Sequence, residues 1–122
     1  MEQLTAKEEQ LMQLLWKRKK ALVSELLEDF DDPKPPHSTV SSIIRKLEDK
    51  AYVGHKAYGR THEYFPIVTK MAYKKLAFDR MISDYFEGSY KEVVSFMVQE
   101  QALSPEQLSE IQKMIEEEEP ES

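Results

Sequence analysis

The hydrophobic period of this chain changes twice, and that confines it to a small set of folds. From Thr5 to Lys50, apolar residues recur at the three- and four-residue spacing of helices. From Tyr52 to Tyr58 and from Thr61 to Ile67, aromatic and β-branched residues take over. They flank a Gly59-Arg60 pair of the kind that closes a two-residue hairpin. From Thr69 onward the helical spacing returns and stays. The expected order is three helices, a hairpin and a helical remainder.

Helix starts are marked. Thr5-Ala6-Lys7-Glu8 is a capping box, in which the hydroxyl accepts from a free backbone N–H and the carboxylate reaches back. Leu11, Leu14 and Leu15, with Met12 and Trp16, supply the apolar face, and the cations Lys17 to Lys20 suit the negative end of the helix. A second helix is predicted over 22–30, with Leu22, Val23, Leu26, Leu27 and Phe30 on one side. The three prolines of Asp31–Pro36 cannot continue it. A third helix is predicted over 37–50, with Val40, Ile43, Ile44 and Leu47 at helical spacing. Beyond the hairpin, Thr69 caps a long helix to Phe86, which Gly88 stops. Ser89 to Glu92 and Ser104 to Gln107 open two more, the last frayed by the like charges of Glu116 to Glu119.

With 122 residues, 40% apolar and 33% charged, the chain is globular: one domain, or two very small ones. It has no cysteine, which excludes disulfides and thiol catalysis and points to a reducing compartment. Its apolar runs are only a few residues long, and it opens on the polar MEQLTAKEEQ, so a soluble cytoplasmic protein without a membrane partner is expected. No Gly-rich phosphate loop, serine elbow or paired acid–base set supports an enzyme, and no cofactor motif is present. His37, His55 and His62 match no zinc spacing, so no metal site is expected.

The net charge of −6 hides an uneven distribution. Residues 69–122 carry 6 cations and 12 acids, and so all of the excess, whereas the window 34–62 carries six cations against two acids. Screening over about 8–10 Å makes local charge the relevant one. Within that window, Ser38, Ser42 and Arg45, flanked by Ser41 and Lys46, lie opposite the apolar face of the third helix. Small hydroxyl side chains let base edges approach, while cations reach phosphate or guanine. Arg60 at the hairpin tip, with Lys56 beside it, is placed like a wing. The expected fold is therefore mainly α. A winged helix-turn-helix over 1–68, made of three helices plus a β-hairpin, is followed by a small helical dimerisation region over 69–122. Ser38, Thr39, Ser41, Ser42, Arg45, Lys46, Lys56 and Arg60 are the candidate DNA contacts. A winged-helix module that binds protein and has no DNA affinity is the alternative, and a salt-dependent shift of duplex DNA separates the two.

Several segments are familiar as a set. Leu4-Thr5, Glu8, Met12 and Leu15-Trp16 match the opening of the BlaI/MecI/CopY family, the penicillinase-repressor type. His37 to Val40, Ile43-Ile44 and Arg45 to Glu48 resemble its recognition helix, and Gly59 to Val68 its wing and exit. Gly88-Ser89, Val93-Val94 and Leu103-Ser104 resemble its C-terminal region. The resemblance implies a dimeric repressor on a dyad operator of double-stranded DNA, blocking transcription of resistance genes. It also carries departures. Ala51 stands where the family often has Gly, and Ser41 where it commonly has Lys or Arg. The C-terminal cysteines of the copper-responsive members are missing. Members induced by β-lactams are cut in the short helix after Gly88, and an ungapped match puts Phe96-Met97 there, which implies an inducing protease as a partner.

The helices of 69–122 are too few to bury their apolar residues within one chain. Met71, Phe78, Ile82, Phe86, Val94, Leu108, Ile111 and Ile115 are the expected homodimer interface.

Overall fold

The computed structural model describes residues 1–100 and 103–118, with side chains up to Met114. Among these the order is α1 Ala6–Arg18, α2 Val23–Glu28, α3 His37–Asp49, β1 Val53–Tyr58, β2 Thr61–Pro66, α4 Lys70–Phe86, α5 Tyr90–Gln99 and α6 Pro105–Glu118. α6 continues through Glu118, whereas Glu119, the last residue of the expected fraying, lies outside the described residues.

Each boundary has a local cause. At Thr5 the capping box is complete: Thr5 N–H donates to Glu8 Oε1 at 2.9 Å, and Glu8 N–H to Thr5 Oγ1 at 3.2 Å. α2 is shorter than its apolar run. It starts where the Glu25 carboxylate accepts from Leu22 N–H at 2.8 Å. It ends where the Lys34 ammonium donates to the carbonyls of Leu27, Glu28 and Phe30, at 3.1, 3.1 and 2.7 Å. That cation satisfies acceptors that the end of a helix leaves unpaired. α3 starts directly after Pro36, and Lys50 follows its last turn. The later starts follow the sequence too. Thr69 Oγ1 accepts from Ala72 N–H at 3.1 Å, Ser89 Oγ from Glu92 N–H at 3.2 Å, and Ser104 and Gln107 cap each other at 3.0 and 3.1 Å.

β1 and β2 pair antiparallel, from Val53 opposite Pro66 to Tyr58 opposite Thr61, around the Gly59-Arg60 loop. Gly59 takes φ +64°, the conformation such a loop asks of its first residue. A further rung comes from Ala21, between α1 and α2: its N–H and C=O exchange bonds with Tyr64 at 2.9 and 2.8 Å. The hairpin is thereby stitched to the helices.

Two compact units result, Met1–Ala77 and Phe78–Ser122. In the first, Leu11, Met12 and Leu15 of α1, Leu26 of α2, and Val40, Ile44 and Leu47 of α3 form one core with Tyr52, Val53 and Tyr64. The opening of α4 belongs to this unit. Tyr73 is buried, its ring lies 5.8 Å from Trp16 and 5.9 Å from Tyr52, and its hydroxyl donates to Glu9 at 3.0 Å. Burial first, and Glu9 second, push the Tyr73 phenol up to about 12. Trp16 Nε1 donates to Val68 C=O at 2.9 Å, so the indole braces the exit from the hairpin. In the second unit, Ile82 and Val93 are buried, Phe78 meets Tyr90, and Phe86 meets Phe96 edge-on at 5.6 Å.

Candidate nucleic-acid interface

α3 is held by its apolar stripe, so what it leaves outward is fixed by helical geometry. Ser38 and Arg45 are exposed and Ser42 is half-buried, together with the exposed acid Asp49, at the spacing of one face. Lys46 is exposed beside them. Ser41 is half-buried, its Oγ 3.3 Å from His37 Nδ1 one turn back. Thr39 is half-buried and faces the other way. It lines a 280 Å³ cleft with Phe30, Pro33, Pro35 and Ile43, away from the outward face.

Cations in the window divide into two kinds. Lys34 caps α2. Lys50 lies against α1 and donates to Glu8 at 2.8 Å, and Glu8 is only 3% exposed. Burial alone would raise the Glu8 carboxyl, but Lys50 and the Thr5 hydrogen bonds overcome this and hold it below the usual glutamate range. Arg45, Lys46, Lys56 and Arg60 are exposed and form no salt bridge among the described residues. Lys56 leans over the Tyr58 ring at 5.3 Å. Four cations of the window are thus free on α3 and the hairpin, and two are structural.

The link between these two elements is invisible in the sequence. His55 Nδ1 on β1 donates to Glu48 Oε2 on α3 at 2.5 Å, and the His55 ring stacks on His62 of β2 at 4.2 Å and 11°. Glu48 and His55 therefore hold the hairpin against α3. Nothing local announces a pair that spans a helix and a strand. The one signal in the sequence is that all three histidines fall in the basic window. Among the described residues, no group of three or more His, Asp or Glu is placed to hold a metal.

The profile of the penicillinase repressor family matches residues 4–117. The chain belongs to that family. It is similar to the methicillin resistance regulatory protein MecI of Staphylococcus aureus, with 19% identity over 93% of each chain. The same protein from Staphylococcus epidermidis matches equally. The penicillinase repressor of Bacillus licheniformis is 20% identical over 94% of this chain and 91% of that protein. Among the described residues, no helix of this family member is long and apolar enough to cross a membrane.

The residues expected at a homodimer interface differ in exposure in this penicillinase-repressor family member. Met71, Phe78 and Ile111 are exposed, and Phe86, Val94 and Leu108 are half-buried. Ile82 is 2% exposed, covered by its own chain. The Ile115 side chain lies outside the described residues. Further exposed apolar groups, unmarked by the sequence pattern as interface, are Tyr85, Tyr90 and Met114. Phe96 and Met97 sit exposed on α5, at 50% and 36%.

Proposed function

We propose that this chain is a transcriptional repressor of the penicillinase type, a homodimer that holds a dyad operator through α3 and the wing. One observation carries the reading: four exposed cations, free of salt bridges among the described residues, sit on α3 and the hairpin of an otherwise acidic chain. The helix enters the major groove with Ser38, Ser42 and Arg45 forward, while Lys46, Lys56 and Arg60 meet phosphate. Dimerisation rests on the exposed apolar groups of the second unit, since a monomer rarely leaves such a set in water. Two-fold pairing then sets half-sites about 34–36 Å apart. Tethering two weak half-site interactions raises their effective concentration, so loss of the C-terminal helices releases DNA. Cleavage near Phe96-Met97 by an inducing protease is one way to cause that loss. The exposure of these residues on α5 suits it, and the names of the relatives speak of resistance regulation.

Footprinting on the DNA upstream of the protein's own coding sequence, followed by a salt titration, tests the proposal. Lys46→Ala with Arg60→Ala should weaken binding on all sequences and lower the salt slope by roughly 0.9 for each phosphate no longer neutralised. Unchanged affinity and slope would refute this docking. No DNA binding at any salt, with a folded protein, would favour the protein-interaction module.

A further inference from the structure

Between the start of α2, the start of α3 and the hairpin tip lies a cleft of about 350 Å³. Its polar lining is Ser24, His37, Arg60, Thr61, His62 and Tyr64, with Leu22 and Val23 as the apolar part. This chain carries 23 Asp and Glu against 17 Lys and Arg, yet no carboxylate lines the cleft. Residues that carry one guanidinium, two imidazoles and three hydroxyls line it from three separate elements. Such a set offers N–H and O–H donors with positive charge and no competing anion, which is the chemistry that recognises a phosphoryl group.

The imidazoles are also held in place. His62 is stacked on His55, and His55 is fixed in turn by Glu48. His37 is anchored by Ser41, one turn along the same helix. Neither ring is spent on the core, since both His37 and His62 are exposed. Donors held in place before binding lose little freedom on binding.

We propose that this cleft seats a single phosphoryl group, bound by Arg60, His62, His37 and the hydroxyls of Ser24 and Thr61. It rests on the operator-binding reading for its source, a phosphate of the DNA backbone that runs between recognition helix and wing. A free phosphate anion would offer the same chemistry. In this site Glu48 and His55 are positioning residues, which act through the His62 ring and do not touch the phosphoryl group.

The test uses the full-length chain and the duplex it protects upstream of its own coding sequence. His62→Gln and Ser24→Ala should each weaken binding, by about tenfold for the imidazole and less for the hydroxyl. Ser24 is exposed, so that variant reports on the cleft even if the His62 variant loosens the wing. Neutralising backbone phosphates one at a time as methylphosphonates should find a single position whose loss costs the wild type as much as His62→Gln costs, and costs His62→Gln almost nothing. If both variants bind the unmodified duplex like the wild type, the cleft is not a phosphate seat, while the operator reading stands. If the wild type binds no duplex, titration with inorganic phosphate decides. Saturable shifts of the His37 and His62 ring signals assign a free-anion site, and their absence overturns the proposal.

Discussion

Ala51 holds a backbone conformation that side chains resist. Its φ is +64°, directly after α3, where the chain turns back through Ala51 N–H to Glu48 C=O at 2.9 Å and Tyr52 N–H to Leu47 C=O at 2.9 Å. An L-residue there crowds its own carbonyl, and glycine has no Cβ to do so. Ala51→Gly should stabilise the fold by about 0.5–1 kcal/mol, part of the relief being returned as extra freedom in the unfolded chain. Urea unfolding measures it, and a loss of stability would contradict the account. Glu8 is the other residue whose role is local and decisive. Its carboxylate caps α1 and pairs with Lys50 at once. Because the folded carboxyl titrates below its ordinary value, its contribution is complete above about pH 4.3 and is lost as pH falls through the lower folded value. Glu8→Gln should cost about 1–3 kcal/mol at pH 7 and flatten stability against pH in that acidic range. An unaltered acid limb in a pH series of thermal melts would count against the pair.

At the scale of elements, the hairpin shows how two glycines differ. A Cβ on Gly54 would meet Phe65 Cζ at 2.9 Å. That atom is the far end of a half-exposed ring, which can swing away. Gly59 has open space around its Cβ position, but its φ of +64° is one that side chains rarely adopt. Gly54→Ala should therefore cost under about 1 kcal/mol, and Gly59→Ala about 1–2 kcal/mol. Equal costs, read from chemical denaturation, would mean that turn strain does not govern the wing.

For the whole molecule, the division within α4 predicts where the chain can be cut. A chain of residues 1–77 keeps Tyr73, packed on Trp16 and Tyr52 and bonded to Glu9, and the partly buried Leu76. A chain of residues 1–68 lacks both and leaves the rings of Trp16 and Tyr52 uncovered. Burial of a large apolar side chain is worth roughly 1.5–3 kcal/mol, so the shorter chain should be less stable by about 3–5 kcal/mol. The longer one should keep a cooperative melt and, on the proposed linkage, lose most of its DNA affinity at physiological salt. If it binds as tightly as the full chain, dimerisation is not the control point. Equal melting of the two fragments would show that α4 is not part of the first unit.

The sequence by itself determined the elements and their order, because caps, prolines and hydrophobic period act within a few residues. Thr5-Glu8, Gly59-Arg60, Ser89-Glu92 and Ser104-Gln107 each closed the structure they announced. It also located the basic window, since charge is additive along a chain. It did not distinguish the cations in that window: Lys34 and Lys50 look like Lys46 and Arg60 until α2 and α1 are brought against them. Nor did it show that Thr39 is half-buried and lines a cleft with Phe30, Pro33 and Pro35, because that depends on the path of the loop before α3. The Glu48–His55–His62 arrangement, the cleft below Arg60 and the docking of Tyr73 all join elements distant in sequence. Only tertiary structure decided them, because their energies come from groups that no local pattern brings together.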